Sequence, residues 1–140
     1  MRTDLVEELL DRELEVSGLD ELASRGVTLW RDSTDLFVRF EVGRDGRPGL
    51  FRLACASFDA QPPSVTMVDP ETRKELPLPA WTPGVPHSVH PTLGRPFVCM
   101  QGVLEYHEHP QHLADSWDRY RRTIRLPQTI RRLLEKAGVP

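Results

Sequence analysis

HPTLGRPFVCMQGVLEYHEHPQHLADSW, residues 90–117, is the densest run of chemistry-bearing side chains in the chain. Three of the five histidines, one of the two cysteines and a flanking carboxylate fall between Cys99 and His112. Alternate side chains of an extended segment share a face, so a strand over residues 104–109 would point Glu105, His107 and His109 the same way. Cys99 has the same parity, but six residues of unbroken strand would carry it roughly 20 Å from Glu105. A reversal between them is therefore expected. Gly102 can take the positive φ that a reversal needs, and a hairpin there would set Cys99 opposite Glu105. A helical turn starting near Pro110 would bring His112, three residues after His109, to the same cluster.

These residue types point to a transition metal. A thiolate and a carboxylate cancel the charge of a divalent ion, and two neutral imidazoles complete four-coordination, which suits zinc best. The predicted metal ligands are Cys99, Glu105, His107 and His112, with His109 as a substitute or as a group that orients a ligand. The spacing is not that of a zinc finger. A plainer reading is a buried strand cysteine followed by a solvated polar loop.

Working outward, the 140 residues fit one domain, 1–140, with a core large enough to fold without disulfides. Hydrophobic content of 39% and charged content of 28% are those of a soluble globular protein. No basic-then-apolar leader and no membrane-length apolar run is present, so a cytoplasmic location is expected, with Cys55 and Cys99 as free thiols or ligands. Cys55, in an apolar strand, reads as core. The net charge of -3 is unevenly spread: residues 119–140 hold seven Lys/Arg against one acid, and the first 118 hold eleven against twenty. The basic end has few interleaved aromatics and no reading motif, so it predicts a solvated helix face and no nucleic-acid partner.

Residues 4–16 read as an amphipathic helix, with Asp4 and Glu7 as a capping-box-like start, an apolar stripe of Leu5, Val6, Leu9, Leu10 and Leu14, and a stop at Ser17-Gly18. A short helical turn over Asp20–Arg25 closes at Gly26. The period then moves toward two. Val27–Arg31, Leu36–Val42, Gly49–Ala56 and Val65–Val68 read as an antiparallel four-strand meander, with Leu36, Val38 and Phe40 on one face of its second strand. Pro62-Pro63 stiffens the entry to the fourth strand. Residues 69–96 hold seven prolines and read as a long stiffened loop, pinned by Trp81, that delivers His87 and His90 beside the cluster. Asp115 is placed to cap a short helix through Trp117 and Tyr120. A last helix starts near Pro127 and shows Ile130, Leu133, Leu134 and Ala137 on one face before Gly138. The class is α+β.

This order of elements, with Pro-Pro before the fourth strand, His90-Pro91, a cysteine nine residues later and a downstream Trp117, resembles the ubiquitin-conjugating enzyme fold. The resemblance implies that Cys99 stands where that family carries its thioester. His90-Pro91-Thr92 departs from the family's His-Pro-Asn, and the segment between Cys99 and Trp117 is longer and histidine-rich. A narrower resemblance covers the last third. Pro96-Phe97-Val98-Cys99, Gly102, Glu105 to His112 and Asp115-Ser116-Trp117 are similar to a bacterial family described as a predicted metal-binding domain with a Cys-Glu-His-His signature. That family is encoded beside ubiquitin-like proteins, activating enzymes and JAB-type peptidases. What it implies is a metal site at Cys99, Glu105 and two of the following histidines, and partnership with a ubiquitin-like protein and its activating enzyme.

Three functions follow from these readings. In the first the chain is a metal-binding accessory or scaffold, because a coordinated sulfur loses the nucleophilicity that thioester transfer requires. In the second Cys99 is a nucleophile, with His107 or His109 lowering its pKa or serving as base. In the third an open metal position holds water for hydrolysis, with Glu108 or Glu105 as base.

Overall fold

Leu36, Val38 and Phe40 alternate with Phe37 and Arg39, and this period of two turns one apolar face of a strand onto the core. That strand, β2 (Asp35–Phe40), pairs antiparallel with β1 (Val27–Asp32) and β3 (Gly49–Ala54), and β3 pairs with β4 (Ser64–Val68). The order β1-β2-β3-β4 is the expected meander. Its register sets Leu36 against Leu53 and Leu53 against Val65, so the core face is apolar across three strands. Gly49 lies opposite Phe40, and a Cβ there would overlap the Phe40 ring. The computed structural model describes residues 2–15 and 18–140.

On the core face lie α1 (Thr3–Glu15), a 3-10 turn over Leu19–Arg25, and α3 (Leu126–Lys136). Val6 and Leu10 are the fully buried residues of α1, whereas Leu5, expected in the same stripe, is 53% exposed at its margin. Val16 and the predicted stop at Ser17 lie outside the described residues. Left-handed Gly18 and Gly26 bracket the 3-10 turn. In α3, Ile130, Leu133, Leu134 and Ala137 are buried as the spacing predicts, and the Arg125 backbone N–H donates to Gln128 Oε1 at 3.0 Å across the first turn. No described helix is long and apolar enough to cross a membrane.

The proline-rich stretch is more ordered than a loop. Trp81 is buried and its indole donates to the Leu76 carbonyl at 3.0 Å, which pins the stretch as expected. Beyond it β5 (His87–Val89) pairs antiparallel with β6 (Pro96–Val98), and this ribbon lies against β4. Neither strand was legible in the sequence, because each has three residues and prolines stand at or beside their ends.

The segment after Cys99 corrects the predicted strand and hairpin. Leu104–Glu108 is a short helix, α2, followed by 3-10 turns over Pro110–His112 and Trp117–Arg119. Gly102 does take positive φ, at 97°, but it turns the chain from β6 into α2. The Asp115 cap is corrected too: Ser116 Oγ accepts the Asp118 N–H, and the Asp115 carboxylate accepts the hydroxyls of Tyr106 and Tyr120.

Candidate functional site

Helical geometry decides which side chains of α2 can meet. Residues two apart on a helix point to different sides, whereas residues three or four apart share one. Glu105 and Glu108 therefore face the β5–β6 ribbon, and His107 turns inward to 8% exposure. The common face expected for Glu105, His107 and His109 does not form.

His107 commits both ring nitrogens to backbone groups. Its Nδ1–H donates to the Asp115 carbonyl at 2.6 Å, and its Nε2 accepts the Gly102 N–H at 3.0 Å. The ring packs between Tyr106, Trp117 and Tyr120. With both nitrogens engaged, His107 is a brace between the turn after β6 and the segment before the Trp117 turn, and service as a metal ligand would require breaking one of these bonds. The same brace includes Asp115, whose carboxylate accepts from Tyr106 at 2.8 Å, Tyr120 at 2.5 Å and Gln101 at 3.3 Å. Bonds from Tyr120 and Tyr106 hold the Asp115 carboxyl below the usual range. Bonding to Asp115 in turn raises both phenols.

The other histidines have their tautomers written by the backbone. His109 Nδ1 accepts the Gln111 N–H at 3.2 Å, and His90 Nδ1 accepts the N–H groups of Thr92 and Leu93 at 3.2 and 3.1 Å. Each thus spends its Nδ1 on the backbone and leaves Nε2 over. His87 is the reverse, since its Nδ1 lies 3.2 Å from the Val85 carbonyl and must donate. It stands edge-on to Trp81. His112 stacks on Tyr106 with ring centroids 4.1 Å apart. Among the described residues no three His, Cys, Asp or Glu side chains converge closely enough to hold a metal ion.

Cys99 and Glu105 do come into electrostatic reach of one another. Burial pushes the Cys99 thiol up, and the Glu105 charge pushes it further. Burial also raises the Glu105 carboxyl, opposed by the Ser64 hydroxyl and by His90, and reinforced by the charge of Glu108. Ser64 donates to Glu105 Oε1, while Oε2 is buried without a hydrogen-bond partner. Such an oxygen costs on the order of 1–3 kcal/mol or more for a charged group, so it marks a position held against stability.

Around Glu105 a cleft of about 370 Å³ opens between β4, the β5–β6 ribbon and α2. A recess of about 140 Å³ shares His90, Phe97, Glu105 and Glu108 with it and adds His109. Ser64, Phe97, Leu104 and Arg95 are cleft residues that reading the sequence missed, because they converge from β4, β6, α2 and the turn that leads into β6. The His90 placement next to the cluster was legible.

Residues 88–129, from β5 to the first turn of α3, match the family model described as Y4jH-like, the Y4jH family. Cys99, Glu105, His107, His109, His112 and Asp115 all lie within that match. The chain is also 34% identical over 88 aligned residues to uncharacterized protein y4jH of Sinorhizobium fredii (strain NBRC 101917 / NGR234), an alignment covering 44% of this chain and 43% of the relative. The chain thus spans less than half the length of the curated relative it matches, and the likeness to a bacterial family is centred on the segment that carries the site.

Proposed function

We propose that the chain is an accessory protein with a ubiquitin-conjugating-like fold, working in a bacterial ubiquitin-like modification pathway and holding its partners without forming a thioester. The observation that carries this reading is the environment of Cys99: a half-buried thiol beside the carboxylate of Glu105, one oxygen of which is buried. A nucleophilic cysteine needs a neighbouring cation or base to become a thiolate. A carboxylate does the opposite. Of the two histidines that the sequence offered as its base, His107 is held by two backbone bonds, and neither it nor His109 shifts the Cys99 thiol, on which burial and Glu105 act. The pathway, with a ubiquitin-like protein and its activating enzyme as partners, rests on the resemblance of residues 96–117.

The test is to incubate the protein with a bacterial ubiquitin-like protein, its matched activating enzyme and ATP. The expected result is no thiol-reducible adduct, with non-covalent association equal in the wild type and Cys99→Ala. A reducible adduct that Cys99→Ala abolishes would overturn the proposal in favour of an active conjugating enzyme.

A second reading keeps a divalent metal, zinc by ligand type, on Cys99, Glu105 and His112, with His109 as substitute. The unpartnered Glu105 Oε2 favours it, because a cation would pair that oxygen and hold the adjacent sulfur as thiolate. It requires α2 and the Pro110–His112 turn to close on the ion, and it excludes His107. Elemental analysis checks it: about one zinc per chain, lost in Cys99→Ala and kept in His107→Ala, is its signature.

A further inference from the structure

We propose that the cleft between β4, the β5–β6 ribbon and α2 binds a primary ammonium carried on an aliphatic stem, the chemistry of a lysine side chain, with Glu105 and Glu108 receiving the ammonium.

The charge count of the walls points to this ligand. Arg52 is spent on Asp35 at 2.9 Å, and Arg95 is spent on Glu75. His90 is held through Nδ1, which accepts two backbone N–H groups, and a single imidazole cannot balance two carboxylates. What remains is Glu105, with one oxygen on Ser64 and one unpartnered, and Glu108, which is exposed and forms no ion pair among the described residues. The unneutralised charge of the cleft is therefore negative, and it lies where the cleft meets the smaller recess.

Shape and polarity select the rest of the ligand. Leu93, Phe97 and Leu104 line the approach, and Leu93 is 64% exposed at its mouth. These walls suit methylenes, whereas a bare inorganic cation would leave them wet. A small rotation of the Glu105 carboxylate, a soft torsion, brings its free oxygen toward the ammonium while Ser64 keeps a bond. An ammonium has three donors, enough for Glu105, Glu108 and one water. The inference does not depend on the modification pathway. It competes with the metal reading for one atom, Glu105 Oε2.

The experiment is a titration of the full chain, of measured metal content, followed by amide chemical shifts. Nα-acetyl-lysinamide is expected to shift residues of β4, β6 and α2 with a millimolar dissociation constant. Glu105→Gln should weaken it by about tenfold, and Glu108→Gln, at an exposed position that leaves folding intact, by severalfold. Nα,Nε-diacetyl-lysinamide and butyrate should bind neither variant nor wild type. Equal binding by the diacetylated probe, binding of butyrate at Arg52 and Arg95, or equal binding by glycinamide, which has no stem, would each overturn the proposal. So would one metal per chain whose removal by chelation is what permits the lysine probe to bind. Failure of the thioester test leaves these arms unaffected, so the two proposals fall separately.

Discussion

Glu105 and His107, two residues apart, carry opposite roles, and one replacement at each separates them. His107→Ala leaves the buried Gly102 N–H and the Asp115 carbonyl without partners, and a loss of about 2–4 kcal/mol in urea unfolding is expected. Glu105→Gln should act in the other direction. A carboxyl whose folded pKa is raised contributes its stability below the unfolded pKa and loses it as pH rises through the folded value. Removing the charge should therefore raise the stability of metal-free protein by about 0.5–2 kcal/mol at pH 7, with the gain vanishing near pH 4. Thermal melts at both values check it. The residue types were legible in the sequence, and so was the approach of Cys99 to Glu105. Their facing was not, since five residues with no apolar stripe fit a period of two as well as one of 3.6.

At the scale of elements, the site depends on how α2 is launched. Gly102 sits at φ 97°, and a Cβ there would lie 3.1 Å from Ile124 Cγ2 and 3.3 Å from Thr129 Oγ1. Gly102→Ala should cost about 1–3 kcal/mol and move the amide resonances of Cys99 to His107 together. The β5–β6 ribbon holds the other wall of the cleft through β4. The meander was readable because apolar alternation spans whole strands, whereas the ribbon was hidden by prolines that look like loop and carry edge strands instead.

Across the whole molecule, the basic C-terminal stretch is not simply a solvated face. Arg125 bonds Asp59 and Glu13, Arg121 bonds Asp59, and Arg131 bonds Glu21, so these charges tie α3 and the segment before it to α1, to the turn before β4 and to the Leu19–Arg25 turn. Burial pushes the Asp59 carboxyl up, but bonds from Arg125 and Arg121 more than offset it and hold it below the usual range. Its contribution is present above the unfolded pKa of about 3.9 and is lost as pH falls through the lower folded value. Asp59→Asn should cost about 1 kcal/mol at pH 7 and little in acid, as chemical denaturation at each pH will read. Because the principal core runs from Val6 to Val139, unfolding should be one transition, with the fluorescence of buried Trp81 and Trp117 coincident with loss of helix.

The two thiols stand in different layers: Cys55 is 1% exposed in the core and Cys99 is half-buried at the site. Burial raises both, so neither is reactive by nature, but a thiol reagent in excess can reach Cys99 without unfolding the chain. The native protein should take one label first, at Cys99, and a second only at the rate at which the core opens. Cys55 is in that sense a clock already installed, and Cys99 a handle on which a spin or fluorescent probe would sit beside the cleft and report what enters it.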